Sequence, residues 1–114
     1  TPVLAEARRQ VLEYLAGARR SFDLPLDPRG TSFQRRVWAA LTAIPWGETR
    51  TYAQIAAAVG SPRAVRAVGQ ANHRNPIPIL IPCHRVVGAD GTLTGYGGGL
   101  ELKRKLLELE GAWT

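Results

Sequence analysis

The fold is decided by one stretch of the chain, residues 51–71, which reads TYAQIAAAVGSPRAVRAVGQA. Thr51 and Gln54 have the spacing of a capping box, which predicts the start of a helix. Four residues supply the apolar face of that helix: Tyr52, Ile55, Ala56 and Val59. Gly60 closes it, and Ser61-Pro62 is predicted to open the next helix as N-cap and first residue. Two helices joined by a three-residue turn with a glycine form a helix-turn-helix.

The second helix of this unit, predicted from Pro62 to Ala71, carries small side chains. They recur at spacings of three and four, with a glycine beside them: Ala64, Ala67, Gly69 and Ala71. Such a face indicates either tight packing against another helix or close approach to a nucleic-acid groove. Arg63 and Arg66 project from this helix, but it lacks the long polar side chains that read bases in the major groove. As a nucleic-acid-binding helix it would therefore have little sequence preference, although it could enter a groove without clashing.

Upstream, Thr31 and Gln34 form a second capping box and begin another helix. One face of that helix is apolar and comprises Phe33, Val37, Trp38 and Leu41. Ile44-Pro45 is predicted to end it.

The first third of the chain predicts one helix and one strand. The apolar residues of the helix repeat at helical spacing and comprise Leu4, Ala7, Val11, Leu12 and Leu15. Gly17 is its predicted stop, and residues 22–26 alternate like a short edge strand before a turn at 27–30. We expect residues 1–28 to be the remnant of an N-terminal domain, and residues 29–114 to form the main domain.

Downstream, residues 72–82 are apolar but broken by prolines, which predicts a buried, stiff, extended segment. Residues 85–87, a turn at 88–91 and residues 92–94 predict a small hairpin. Glycines at 97–99 predict a loop. A final helix follows, with one apolar face formed by Leu102, Leu106 and Leu109.

The charge of the chain is unevenly placed. Its 114 residues fit one domain and carry a formal net charge of +6. No acidic residue occurs between Thr49 and Ala89, where five arginines fall: Arg50, Arg63, Arg66, Arg74 and Arg85. This stretch is either a solvated basic face or a contact for a polyanion, and we favour nucleic acid because nothing in it repels phosphate.

The single cysteine, Cys83, cannot form an internal disulfide, which predicts a reducing compartment. With no membrane-length apolar run and no signal peptide, we expect a soluble intracellular protein, cytoplasmic in a bacterial-type cell. Cys83 is followed by His84 and Arg85, and nearby positive charge lowers the pKa of a thiol. Buried filler is the alternative for a lone cysteine. The residues alone predict a candidate nucleophile in a DNA-binding domain.

The run NPIPILIPCHRVV, residues 75–87, closely resembles the active-site signature of the O6-alkylguanine-DNA alkyltransferases. The resemblance extends over residues 31–111 and includes the helix-turn-helix and the loop at 96–100. It implies an α+β fold, with a winged-helix-like helix-turn-helix, a small hairpin and a C-terminal helix. The implied function is irreversible, single-turnover transfer of an alkyl group from O6-alkylguanine in duplex DNA to a cysteine. No cofactor and no metal are expected, and the protein is expected to act as a monomer.

The resemblance also implies catalytic roles. Cys83 matches the acceptor, His84 the residue that takes the thiol proton through water, and Glu110 the carboxylate that orients His84. Asn75 matches the residue that holds the active-site segment, and Tyr52 the phenol that protonates the departing guanine. The alternatives are ordinary: a pre-proline turn residue for Asn75, a core aromatic for Tyr52 and a solvated charge for Glu110.

For DNA binding, the family docks the small-residue helix in the minor groove. That groove is about 6 Å wide in B-DNA, whereas an α-helix with its side chains is about 10 Å across. Only a helix face of small residues, together with widening of the groove, can therefore fit. Arg66 matches the arginine that replaces the extruded base, with a plain surface arginine as the alternative, and Arg63, Ala67 and Tyr52 are expected at the DNA. The expected lesion pocket comprises Pro78, the Val86 carbonyl, Tyr96 and Gly97. Gly97 stands where many members have serine, and Thr94 where glycine is common.

Two other protein classes compete with this interpretation. The first is a non-catalytic, alkyltransferase-like lesion-binding protein, but those proteins lack the cysteine at the position of Cys83. The second is a helix-turn-helix transcription regulator, which the helix from Pro62 disfavours because it lacks base-reading side chains.

Overall fold

Five helices and two short strands make up the part of the chain that the computed structural model describes, residues 2–93 and 99–113. The helices are α1 (Pro2–Leu15), α2 (Ser32–Thr42), α3 (Tyr52–Ala58), α4 (Val65–His73) and α5 (Leu100–Leu109). The strands are β1 (Arg50–Thr51) and β2 (Val86–Val87), and a single 3-10 turn, Cys83–Arg85, leads into β2. No helix in these two ranges is long and apolar enough to cross a bilayer.

Both predicted capping boxes are confirmed. The Thr31 hydroxyl accepts from the Gln34 amide N–H at 3.0 Å, and the Gln34 side chain accepts from the Thr31 N–H at 2.9 Å. Thr51 and Gln54 repeat this pair at 3.1 and 2.8 Å. Each box satisfies two donors that a helix start leaves open, which is why α2 and α3 begin where the sequence places them.

Helices α2, α3 and α4 pack around one core. Its fully buried members include Val37, Trp38, Leu41, Ile55, Ala56 and Val68. The predicted apolar faces of α2 and α3 are thereby confirmed, with Phe33, Tyr52 and Val59 packed at the edge of the same core. The Trp38 indole N–H donates to the Ala71 carbonyl at 2.9 Å, so the one polar atom of that large side chain is satisfied.

The predicted start of α4 is wrong. The helix begins at Val65, and six residues rather than three connect it to α3. Gly60, at φ +78°, does close α3, but Ser61 does not cap α4. Its carbonyl instead accepts from the Ala64 N–H at 2.8 Å, which forms a separate turn, and the helical hydrogen bonds start at the Ala64 carbonyl.

The second strand of the predicted hairpin does not form at residues 92–93, and Thr94 lies outside the described residues. β2 pairs in parallel with β1, with Arg50 opposite Val86 and Thr51 opposite Val87. The turn at 88–91 is present, closed by the Gly91 N–H donating to the Gly88 carbonyl, but no strand follows it within the described residues. Both residues of β2 are buried, and their partner strand is β1 instead of a second strand of a hairpin. In this register, the strand that leads into α3 lies beside the strand that leaves the 3-10 turn.

Residues 72–82 do not form the extended segment predicted from the prolines, since α4 continues to His73 and residues 75–82 form a bent loop. The Ile81 N–H donates back to the Ile77 carbonyl at 3.0 Å, and Ile79 adopts φ +75° at the bend. Pro76 and Pro78 are exposed, whereas Ile81 and Pro82 are buried. The prolines prevent a helix in this segment, but they do not hold its backbone in an extended conformation.

The N-terminal prediction fails in two details. The buried residues of α1 are Gln10 and Tyr14, whereas Leu4, Leu12 and Leu15 are exposed. Residues 22–26 form no strand, because the Gln10 amide takes the place of a partner strand: it accepts from the Asp23 N–H at 2.9 Å and donates to the Asp23 carbonyl at 3.2 Å. The domain boundary near residue 28 stays a prediction.

The buried face of α5 also differs from its prediction. Leu106 is buried as expected, but Leu102 is 40% exposed and Lys103 is fully buried beside Leu107. The helix is thus rotated so that a lysine faces the interior.

Candidate active site

Cys83 is the first residue of the 3-10 turn and is 4% exposed. Its N–H donates to the Ile81 carbonyl at 2.8 Å, and its own carbonyl accepts from the Val86 N–H. The Asn72 side chain, near the end of α4, also donates to the Cys83 carbonyl at 3.4 Å. Three hydrogen bonds therefore hold the backbone of Cys83 in place. A fixed position suits a nucleophile that must attack a carbon in line with the leaving group.

Asn75 holds the loop that precedes Cys83. Its Nδ2 donates to the Ile81 carbonyl at 2.8 Å, and its Oδ1 accepts from the Ile77 N–H at 2.9 Å. These two bonds span the bend at Ile79, whose positive φ is strained for a β-branched residue. Asn75 thus does more than an ordinary turn residue, since it offsets strain in the segment that carries the cysteine.

His84 and Glu110 form a buried pair. His84 is fully buried, and its Nε2 lies 2.9 Å from Glu110 Oε2, although 26 residues separate them. A carboxylate only accepts, so Nε2 carries the proton and Nδ1 presents a lone pair. The imidazole is therefore in the tautomer that can receive a proton at Nδ1.

Glu110 is not a solvated charge. It is 1% exposed and accepts from His84, from the Tyr14 hydroxyl and from Arg85, whose Nε and Nη2 both lie 2.8 Å away. Arg85 is itself buried and donates further to the Ile44 carbonyl at 2.7 Å. Arg85 therefore belongs to this network and not to the basic face that the sequence predicted.

This network sets the charges of its members. Burial alone would raise the pKa of Glu110, but the hydrogen bonds from His84 and Arg85 outweigh it and lower that pKa to about 2. Burial lowers the pKa of His84 below its ordinary value, despite the opposing effect of Glu110. At neutral pH the site thus holds an ionised carboxylate and a neutral imidazole, which is a base in its active form.

Lys103 is a buried cation that was not predicted from the sequence. It is fully buried, and its Nζ donates to the Val86 carbonyl at 2.5 Å. Burial lowers the pKa of Lys103 to about 8, and its interaction with Cys83 opposes that shift. A positive charge coupled to the thiol favours the thiolate. The signal was present in the spacing, since Lys103, Leu106, Leu107 and Glu110 form one helical stripe.

A shallow depression of about 610 Å³ lies on the exposed side of α4. It is lined by Tyr52, Val65, Arg66, Gly69, Gln70, His73 and Arg74. Tyr52 and Arg66, predicted as separate contacts, therefore share one surface. Ala67 and Arg63 are exposed, the latter in the turn before α4, whereas Ala71 is buried in the core. The small residues of this helix thus pack against the core on one side, and on the other side they leave a surface without protruding side chains.

The remaining predicted residues are placed as follows. Arg50 is half-buried and paired with Glu48 at 3.0 Å, so it does not extend the basic surface. Thr94, Tyr96 and Gly97 lie outside the described residues. Within the described ranges, no group of three or more His, Cys, Asp or Glu side chains is placed to hold a metal ion.

The fold and the site together define a helix-turn-helix domain that carries a buried Cys-His-Glu constellation. A family model described as "6-O-methylguanine DNA methyltransferase, DNA binding domain" matches residues 32–112. The chain is 61% identical, over 96% of its length, to the constitutive methylated-DNA–protein-cysteine methyltransferase of Bacillus subtilis, and covers 67% of that protein. It is 62% identical, over 92% of its length, to the Methanosarcina barkeri protein with the same enzyme name, and covers 66% of it.

Solved structures agree. Mycobacterium tuberculosis OGT in complex with DNA superposes with a TM-score of 0.92 at 58% identity, covering 95% of this chain and 67% of that one. S. pombe Atl1 in complex with damaged DNA containing O6-carboxymethylguanine gives a TM-score of 0.63 at 37% identity, covering 73% of this chain and 79% of that one. The chain belongs to the methylated-DNA–protein-cysteine methyltransferase family of DNA-repair proteins, and it spans about two thirds of the length of the bacterial and archaeal relatives named.

Proposed function

We propose that this chain transfers an alkyl group from the O6 of guanine in duplex DNA to the Sγ of Cys83, once and irreversibly. The observation that carries the proposal is the buried His84–Glu110 pair next to Cys83, with His84 Nδ1 presenting a lone pair. An alkyl ether is a poor electrophile, so the sulfur must attack as a thiolate and the base must leave protonated.

In the first step the thiol loses its proton. The S–H bond of Cys83 breaks, the proton passes through water to His84 Nδ1, and Glu110 stabilises the resulting imidazolium. Glu110 is suited to this role because it stays ionised. Lys103 supports the same step, since its charge favours the thiolate.

In the second step the sulfur lone pair forms a bond to the alkyl carbon while the bond from that carbon to O6 breaks. The electron pair of the broken bond goes to the guanine, which takes a proton from the Tyr52 hydroxyl. The thioether has no leaving group of comparable quality, so the cysteine is not regenerated. Pro78, the Val86 carbonyl, Tyr96 and Gly97 are proposed to line the lesion pocket, and Lys103 shares the Val86 carbonyl with the guanine amino group.

The target carbon lies inside the duplex, so the nucleotide must rotate out first. We propose that the exposed side of α4 enters the minor groove and that Arg66 fills the gap left by the base. The exposed positions of Arg63 and Ala67 support contact there. Both superposed structures named above are complexes with DNA, which supports DNA as the ligand of this chain. A protein with this substrate works where DNA is, so we propose a cytoplasmic or otherwise intracellular location, and action as a monomer.

Intact-mass measurement after incubation with an O6-methylguanine duplex tests the proposal. We expect a gain of one methyl group in place of a hydrogen on the protein, because Cys83 is the chain's single cysteine. The Cys83→Ser variant is expected to show no gain yet to bind the duplex almost as well, since a thiol adds little to a phosphate interface.

Two outcomes would contradict the proposal. Methyl transfer to Cys83→Ser would show that another residue is the acceptor. Tight binding of the lesion duplex by the wild-type protein without any mass gain would instead support the non-catalytic, lesion-binding alternative.

A further inference from the structure

Two buried polar atoms beside Cys83 have no hydrogen-bond partner. Across residues 2–93 and 99–113, they are Asn72 Oδ1 and His84 Nδ1. Both residues are joined to the cysteine: Asn72, 3% exposed, donates to the Cys83 carbonyl, and His84 follows Cys83 in the same 3-10 turn. The two unpartnered atoms therefore belong to residues that both adjoin Cys83, one through the Cys83 carbonyl and one through the chain.

The orientation of the Asn72 amide is fixed by its one bond. If the amide were flipped, its oxygen would face the Cys83 carbonyl, and two acceptors would oppose each other. Oδ1 must therefore be the atom without a partner. Leaving a buried acceptor unsatisfied costs on the order of tenfold or more in the folding equilibrium, so such atoms in a native core need a purpose.

We infer that Asn72 is a positioning residue for the transfer reaction: its Oδ1, together with His84 Nδ1, holds the water molecule that carries away the Cys83 proton. This inference rests on the proposed function. Both atoms are acceptors, and a water molecule has two O–H groups to donate, one to each. Its oxygen then has a lone pair for the thiol proton.

The proton balance of this arrangement is complete. The S–H proton moves to the water oxygen, and the water's own proton moves to His84 Nδ1, so the water is unchanged in composition. The electron pair of the S–H bond stays on sulfur for the attack on carbon. A water with three defined contacts has a fixed orientation, which a water bound to the imidazole alone would lack.

The position of Asn72 also links this water to DNA binding. Asn72 is the last but one residue of α4, the helix whose exposed side carries Arg66. The same rigid element would then present the DNA surface and hold the proton path. The charged and titratable groups around Cys83 in the described structure are His84 and Lys103, with Glu110 and Arg85 behind His84.

A series of substitutions at Asn72 tests the inference. Asn72→Leu keeps a similar volume but removes both polar groups, and Asn72→Ala leaves space that solvent can occupy. We expect Asn72→Leu to unfold at about the same temperature as the wild type, because the removal of an unsatisfied acceptor offsets the loss of the 3.4 Å hydrogen bond to the Cys83 carbonyl. Asn72→Ala is expected to unfold at a lower temperature, because it creates a cavity.

The transfer rates are expected to follow a different order. With the O6-methylguanine duplex, Asn72→Leu should be slower by roughly fivefold or more, the effect of one lost hydrogen bond, and Asn72→Ala should be less impaired. Val68→Ala, which creates a cavity one turn earlier in the same helix, is the control: it should lower the unfolding temperature and leave the rate nearly unchanged. If the rates follow stability instead, Asn72 is only structural.

A second measurement separates this inference from the proposed function. Alkylation of Cys83 by iodoacetamide at different pH values requires no DNA, and its midpoint should move to higher pH in Asn72→Leu. A wild-type midpoint and a wild-type transfer rate in Asn72→Leu would overturn the inference. If the wild type transfers no methyl group but the midpoint still moves, the proposed function fails and the proton path stands.

Discussion

At the scale of single residues, the site depends on charges held away from water. Glu110, Arg85 and Lys103 are all buried, and an unpaired buried charge costs several kcal/mol. Glu110 and Arg85 satisfy each other through two hydrogen bonds at 2.8 Å. Lys103 donates to the Val86 carbonyl, and its charge interacts with Cys83, where a positive charge favours the thiolate.

We predict that Lys103→Met slows methyl transfer while leaving stability equal or higher. The pKa of Lys103 is lowered to about 8, so the lysine is charged at neutral pH and favours the thiolate. As pH rises through about 8, Lys103 loses its charge, so the transfer rate of the wild type should decline. The variant has no charge to lose at this position, so its rate should not show this decline. Transfer rates across pH and thermal unfolding measure both effects.

The control is Lys105→Met, an exposed lysine two residues further along α5. It should leave the rate and its pH dependence unchanged. An equal alkaline decline in Lys103→Met and the wild type would assign that decline to a group other than Lys103.

At the scale of elements, α4 combines two requirements. Its inner side packs Val68 and Ala71 into the core. On its outer side, the small residues Ala67 and Gly69 lie beside Arg66. A Cβ at Gly69 would come within 4.0 Å of the Tyr52 ring, so larger side chains there would fill the depression. A helix shaped in this way suits a narrow groove better than a base-reading role.

We predict that Arg66→Ala slows repair of duplex DNA far more than reaction with the free O6-alkylguanine base. Only the duplex requires a side chain to fill the gap left by the rotated nucleotide. Single-turnover rates with both substrates test this. Equal slowing of the two reactions would show that Arg66 supports the fold or the thiol.

Arg63→Ala provides the comparison. Arg63 lies in the turn before α4 and is expected to contact phosphate, so its loss should weaken duplex binding at every sequence. The slope of log affinity against log salt should fall by roughly one. The reaction with the free base should be unaffected.

At the scale of the whole molecule, the Glu110 network joins three distant parts of the chain. Tyr14 comes from α1, His84 and Arg85 from the 3-10 turn, and Glu110 from the end of α5. Breaking these bonds therefore loosens the contact between the N-terminal segment and the rest. This makes the protein's stability depend on pH.

We predict that the free energy of unfolding falls in acid. The pKa of Glu110 is lowered from 4.5 to about 2, so its contribution is present above pH 4.5 and is lost as pH falls towards 2. That contribution is roughly 3 kcal/mol. The pKa of His84 is also lowered, so stability begins to fall as pH drops below about 6.5. Denaturant unfolding at a series of pH values measures both.

Tyr14→Phe and Glu108→Gln make the test specific. Tyr14→Phe removes one of the hydrogen bonds that lower the pKa of Glu110, so the loss between pH 4.5 and 2 should shrink. Glu108 is exposed on α5, and its substitution should leave the profile unchanged. A wild-type profile that stays flat below pH 4.5 would contradict the prediction.

The sequence by itself determined the features that depend on neighbours in the chain. The capping boxes at Thr31 and Thr51 fixed two helix starts, because both partners lie within one turn. The apolar faces of α2 and α3 followed from their period, and the signature around Cys83 identified the family. Gly60 ended α3 because it reaches positive φ without strain.

The tertiary structure alone decided which polar groups are buried and which strands pair. Glu110, Arg85 and Lys103 look like surface charges until the segments that cover them are known, because burial depends on contacts between residues far apart in the chain. β2 pairs with β1 across 36 positions in parallel, and no local pattern specifies that partner. The buried polar groups of the candidate site, His84, Glu110 and Asn72, come together only because these distant contacts cover them.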